Sequence, residues 1–166
     1  MNMIITAEYL TRATTWLFIT TLFYFLMNGA QIYETAVIVP KWSAAPPESL
    51  GIFKGQYAPD LKNFWIILHS IHEITFILAI VFCWKLTGIR NGLLILFAIL
   101  FAVRAWTLAY FAPNIIDFQN VANSLKEGVN LLERAKMWRI LNYIRVAIFI
   151  GVSLGFIPLC IKVLKI

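Results

Sequence analysis

The chain reads as an all-α integral membrane bundle of four transmembrane helices, and two observations decide that class. Hydrophobic residues fill 61% of 166 positions and charged residues only 13%, with a mean hydropathy of +0.79. That leaves too little polar surface to coat a water-soluble globule. The apolar residues also gather into four stretches, about Thr15–Val39, Asn63–Leu86, Asn91–Ala112 and Met137–Ile161. Each is long enough to cross about 30 Å of hydrocarbon as a helix, and together they leave no room for a second domain.

The first span follows a polar start, MNMIITAEYLTRATT. It is too long for a signal-peptide core and lacks a small-residue cleavage site, so it reads as a retained helix. Residues 40–62 set Pro40, Pro46, Pro47 and Pro59 among aromatics, the composition of an ordered lid, and Asp60 is placed to cap the second span. The turn at Lys85–Arg90 carries two cations and no acid, which favours a cytoplasmic turn and cytoplasmic termini in a cell-membrane protein. The raw count of lysines and arginines points the other way, toward the face bearing the two long loops, here called the loop face. Pro113 is expected to interrupt the third span. Beyond it Phe118, Val121, Ala122, Leu125, Val129 and Leu132 repeat at helical spacing opposite Asp117, Gln119, Asn123, Lys126, Glu127 and Asn130. This predicts an amphipathic interfacial helix over about 115–134, or an extension of the fourth span.

Several function classes fall away. The net charge of +6 resides mostly at helix ends, where it anchors to headgroups, so a lipid bilayer and not nucleic acid is the expected partner. Cys83 and Cys160 lack paired spacing and read as free apolar thiols. Ser70 and Ser153 sit on apolar helices without an elbow or triad pattern, and there is no phosphate loop or dinucleotide fingerprint. Four spans with no visible repeat and no broken helix pair make a weak transporter unless the chain forms a homo-oligomer.

Glu34, His69, His72, Glu73, Arg104 and Arg145 sit inside the apolar spans. A charge at the bilayer centre is costly, about 2.5–3.5 kcal/mol on the lenient scale, so such groups turn inward and mark a site. At about 1.5 Å per residue they fall in one layer about 8–15 Å below the loop-face ends of their helices. Azimuth agrees, because helical neighbours three, four and seven apart share a face. The first span aligns Tyr24, Asn28, Gln31 and Thr35, with Glu34 at the margin, and the second Trp65, His69, His72 and Glu73. The third aligns Arg104, Thr107, Phe111 and Asn114, and the fourth Trp138, Asn142, Arg145 and Phe149. Turned inward, these stripes enclose a pocket open to the loop face.

Three readings of the layer stay open. The two carboxylates cancel the two guanidinium groups, so the cluster is explained equally by buried ion pairs joining helices. His69, His72, Glu73 and Glu34 are donors of metal-ligand type, although two nearby arginines repel a cation, and two histidines on one helix do not clasp a haem iron. In the preferred reading His72 or His69 is a general base, Glu73 or Glu34 its orienter, and Arg104 or Arg145 the holder of the resulting anion. The ligand is then a hydrophobic organic molecule lined by Asn28, Gln31, Glu34, Trp65, Thr107, Asn114, Trp138 and Asn142. It is an aromatic carbonyl or phenolic compound if turned over, or a lipid-like molecule or anion if only bound or transported.

Three segments, NGAQIYETAVIVPKW, RAWTLAYFAPNI and MWRILNYIR, give the chain a pattern that resembles the anthrone-oxygenase-like family of small four-helix membrane proteins. The resemblance implies a four-helix bundle and oxidation of a polycyclic aromatic substrate by O₂ without a bound cofactor. The HSIHE stretch, which holds His69, His72 and Glu73, has no counterpart in that pattern. A second likeness, of architecture only, is to the four-helix sterol-isomerase and sigma-2-receptor group, through YAPDLKNFW and Glu73.

Overall fold

A computed structural model describes residues 5–124 and 130–166, and among these residues there are helices and turns but no strand. Four helices are long and apolar enough to cross a membrane: α1, Ala7–Trp42; α2, Leu61–Phe82; α3, Thr87–Asn123; and α4, Leu131–Val163. Each outlasts at one end or both the apolar stretch that announces it, because local signals set the ends. Thr6 caps α1 by accepting the Tyr9 N–H at 3.2 Å, so the polar start is already helical from Ala7. Asp60 caps α2 by accepting the Asn63 N–H at 3.1 Å, as its place after Pro59 predicts.

Neither Pro40 nor Pro113 ends its helix. In each case a π turn precedes the proline, Glu34–Ile38 in α1 and Thr107–Phe111 in α3. A proline removes one amide donor and its ring crowds the carbonyl four residues back. The wider π turn relaxes the ladder there and lets the helix continue. The expected interruption at Pro113 is therefore corrected: residues 115–123 prolong α3. The part of the expected interfacial helix beyond Asn130 opens α4, while Leu125, Lys126, Glu127 and Val129 lie outside the described residues. Leu132, placed on the apolar stripe by spacing, is 41% exposed.

α1 packs on α2 and α4, and α3 packs on α4 and more loosely on α2. The start of α1 and the end of α4 meet at one end of the bundle, where Leu10, Thr14, Val163 and Leu164 line a pocket of about 330 Å³. The interior holds two apolar clusters. One, around Tyr24, Phe76, Phe149 and Phe156, fills the terminal half. The other joins Trp42, Phe111, Phe118 and Trp138 to Leu50 and Phe53 of the 40–62 loop, so that loop is an ordered cap. Isoleucines and leucines such as Leu22, Ile67, Ile95, Leu108 and Ile140 cover the exterior.

Glycine sets the approach of α3 to α4. A Cβ on Gly92 would lie 2.5 Å from Leu159 Cδ2, and one on Gly155 would lie 2.7 Å from Leu96 Cδ2, the small-residue contact that lets helices close without a hydrophobic driving force. Gly92→Leu is expected to lower stability by about 1–3 kcal/mol, the range for an overpacked site. Adding Leu159→Ala should recover part of the loss, read as the thermal midpoint in detergent.

Candidate functional site

On every helix the polar residues fall between the two apolar clusters. Asn28, Gln31 and Thr35 follow Met27 on α1, His69 and His72 precede Phe76 on α2, Arg104 and Thr107 separate Val103 from Phe111 on α3, and Asn142 and Arg145 separate Trp138 from Phe149 on α4. The inward stripes therefore form one interior layer. Asn28, Gln31, Thr35, His72, Asn142 and Arg145 are buried, and Glu34, Trp65, His69, Glu73, Arg104 and Thr107 are half-buried at its rim.

Half of the layer is tightly bonded. Arg145, 7% exposed, donates to Asn142 Oδ1 at 2.6 Å and to Thr107 Oγ1 at 3.4 Å. Its guanidinium lies over the Phe111 ring, 4.2 Å from the centroid. Asn142 in turn donates to Thr35 Oγ1 at 3.0 Å. Asn28 ties α1 to α4 lower down by donating to Ser153 Oγ at 2.9 Å. These bonds explain why Asn142 and Arg145 are three apart: that spacing lets one side chain orient the other.

The other half is loosely bonded. Arg104 Nη2 approaches Glu73 Oε2 at 3.8 Å, with side chains 14% and 34% exposed. That is an ion pair but not a hydrogen bond, and Arg104 Nε and Nη2 have no hydrogen-bond partner. His72 is fully buried between the rings of Tyr24 and Phe76, with centroids at 4.8 and 5.6 Å. Both of its ring nitrogens, and the Tyr24 hydroxyl, lack hydrogen-bond partners among the described residues. His69 stacks on Trp65 at 5.1 Å and points Nδ1 at Met27 Sδ, 3.2 Å away. Glu34 faces the Trp65 indole and the field of Arg145.

The layer thus differs in detail from the sequence expectation. Glu73 goes to the Arg104 guanidinium, while Glu34 faces the Trp65 indole N–H and the charge of Arg145, and so neither histidine has a carboxylate orienter among the described residues. The donors His69, His72, Glu73 and Glu34 do not converge: among the described residues no group of three or more His, Cys, Asp or Glu side chains could hold a metal ion. Asn114 stands outside the layer, and Trp138 stands at its edge, with the Arg145 guanidinium 5.8 Å from its ring centroid. Asn114 Oδ1 accepts from Arg134 at 3.1 Å, beside the Arg134–Asp117 ion pair at 2.7 Å. Trp138 gives its indole N–H to the Phe111 carbonyl at 3.3 Å and meets Trp42 edge-on in the capping cluster. Tyr24 and Thr35 lie on the α1 stripe but carry more of the site than their residue types suggest; the signal for Tyr24 is a phenol at an inward position in helical register with Thr20 and Asn28.

No protein-family model, no curated protein and no solved structure matches the chain. Its function is therefore argued from this layer.

The bonded half makes a graded expectation. Asn142→Leu removes an acceptor from a buried guanidinium and is expected to destabilise by about 1.5–3 kcal/mol, the range for hydrogen bonds to charged groups. Thr35→Val removes only a neutral acceptor and should cost about 0.5–1.5 kcal/mol. Thermal midpoints of the two variants in the same detergent check the order.

Proposed function

We propose that this is a multi-pass membrane protein whose intramembrane polar layer binds a hydrophobic organic molecule by an oxygen-bearing head, a phenol, carbonyl or carboxylate. One observation carries the reading. His72 Nδ1 and Nε2, Tyr24 Oη, and Arg104 Nε and Nη2 are buried polar atoms without hydrogen-bond partners, and they lie on adjoining faces of α1, α2 and α3. Each such atom costs about 1–3 kcal/mol when left unsatisfied, and buried polar groups are as a rule paired. A structural ion-pair network predicts the opposite, a layer whose members satisfy one another. The half built on Arg145 and Asn142 comes nearer to that network account, although Arg145 Nε and Asn28 Oδ1 are left without partners, and the half built on His72, Tyr24 and Arg104 departs from it further.

The chemistry of the loose half suits an oxygen anion. A guanidinium and a phenol donate to it, while a neutral imidazole accepts a proton from the same group or from a carbon beside it. The aromatic walls, Tyr24, Trp65 and Phe76, match a flat apolar body. Entry is at the rim of the layer, where Glu34, Trp65 and His69 are half-exposed.

A second reading, proton-transfer catalysis, rests on His72 preceding Glu73, the carboxylate that Arg104 approaches at 3.8 Å. The imidazole removes an activated C–H proton and the guanidinium holds the enolate; O₂ adds to that carbon, the proton returns to give a hydroperoxide, and cleavage of its O–O bond with loss of water leaves a carbonyl, the cofactor-free oxygenase chemistry that the short-motif likeness to anthrone-oxygenase-like proteins implies.

Native mass spectrometry and organic extraction of the protein purified from its own membrane test both. The binding reading expects a copurifying hydrophobic compound that Tyr24→Phe combined with His72→Phe reduces at least tenfold while the protein stays monodisperse. A compound retained in full by that variant removes the site from consideration. Oxidation of the bound compound in air by the parent, lost in His72→Phe alone, selects catalysis over binding.

A further inference from the structure

The two π turns stand at corresponding places. Glu34–Ile38 and Thr107–Phe111 are each followed by a proline after one intervening residue, and the interval is 73 residues from 34 to 107, from 38 to 111 and from Pro40 to Pro113. The same interval lays α2 on α4. Trp65, Ile67, Leu68, Ile71, Phe76 and Ile77 fall on Trp138, Ile140, Leu141, Ile144, Phe149 and Ile150, six identical residues in a stretch of thirteen.

Identity of apolar residues means little in a chain this apolar, but identity of facing means more. His72, Phe76, Ala79 and Cys83 are buried, and so are their counterparts Arg145, Phe149, Val152 and Phe156. Ile67, Ile71, Ile74 and Val81 are exposed, and so are Ile140, Ile144, Ala147 and Leu154. The packing fits as well. α1 and α3 each pack on both α2 and α4, the arrangement of two hairpins related by a two-fold axis along the bundle. Two spans per unit preserve the direction of the chain, so such an axis runs along the membrane normal.

We propose that α1–α2 and α3–α4 are two equivalent hairpins, and that the polar layer lies on their quasi-two-fold axis. In that layer His72 and Arg145 hold equivalent places, as do His69 and Asn142, and Gln31 and Arg104. The halves have diverged in charge. Both imidazoles and both carboxylates belong to the first hairpin, and both guanidinium groups to the second. Each hairpin therefore attracts the other more strongly than a copy of itself, since like charges brought together in a poorly solvated interior repel. If the layer is the ligand site argued above, a head group on the axis meets guanidinium groups from one hairpin and imidazoles from the other.

The equivalence says what each position offers. Arg145 is served by Asn142, Thr107 and the Phe111 ring, whose counterparts around position 72 are His69, Glu34 and Ile38. A guanidinium moved to position 72 is thus given a carboxylate acceptor. His72→Arg combined with Arg145→His is expected to melt within a few degrees of the parent and well above either single variant. The control is His69→Arg combined with Arg145→His, which keeps the net charge but joins positions 76 apart instead of 73; it should remain as low as its worse single. Recovery in both pairs, which charge balance alone would produce, or in neither, overturns the equivalence. A neutral exchange guards against charged variants that fail to assemble. His69→Asn with Asn142→His should recover most of the midpoint lost by Asn142→His alone, and no recovery there also overturns the proposal. The readout is assembly and stability, so it stands or falls separately from ligand binding.

Discussion

The hydrogen-bonded run Arg145–Asn142–Thr35 is what the rest of the bundle is arranged around. It takes a guanidinium into an apolar interior and gives its two terminal nitrogens an amide on its own helix and a hydroxyl on α3, with an aromatic face beneath, while Nε stays without a partner. In hydrocarbon an unpaired group of this kind costs several kcal/mol, so α1, α3 and α4 have little freedom to rotate about their axes without exposing it. Once their rotation is set, the remaining polar residues on each stripe face the same layer, and the apolar clusters form above and below it.

The π turns make this compatible with a capped loop face. A π turn inserts a residue into the ladder and shifts the helix face beyond it. Glu34–Ile38 and Thr107–Phe111 lie at the level of the layer, so the segments beyond them turn Trp42 and Phe118 onto the 40–62 loop while the segments before them keep Asn28 and Arg104 on the interior. The prolines that follow explain the position of the turns. They also explain why α1 and α3 run on as single helices past residues that by themselves read as stops.

The four long apolar helices, the Asp60 cap and the inward stripes were legible in the sequence, because hydropathy and helical spacing express burial directly. The partners of individual charges were not. Spacing along α2 puts Glu73 beside His69 and His72, but only the packing of α3 decides that its carboxylate faces Arg104. The continuity of α3 through Pro113 was hidden as well, since a proline carries the same local signal at a helix end and after a π turn. The likeness of the two hairpins escaped notice for a different reason. Its identities lie in lipid-type isoleucines and in Trp65/Trp138 and Phe76/Phe149, whereas the inward positions that attract attention, 69 with 142 and 72 with 145, have changed residue type.

Two kinds of polar interior coexist here. One is largely closed, with Arg145, Asn142 and Thr35 bonded to one another and Arg145 Nε and Asn28 Oδ1 left over; the other is open, with the buried polar atoms of His72, Tyr24 and Arg104 lacking hydrogen-bond partners among the described residues. A high-resolution map of the protein purified from its own membrane, without added lipid, tests that distinction most directly. The account predicts non-protein density of an organic molecule within hydrogen-bonding distance of at least two of His72, Tyr24 and Arg104. A layer closed by side chains alone, or filled by ordered water alone, contradicts it.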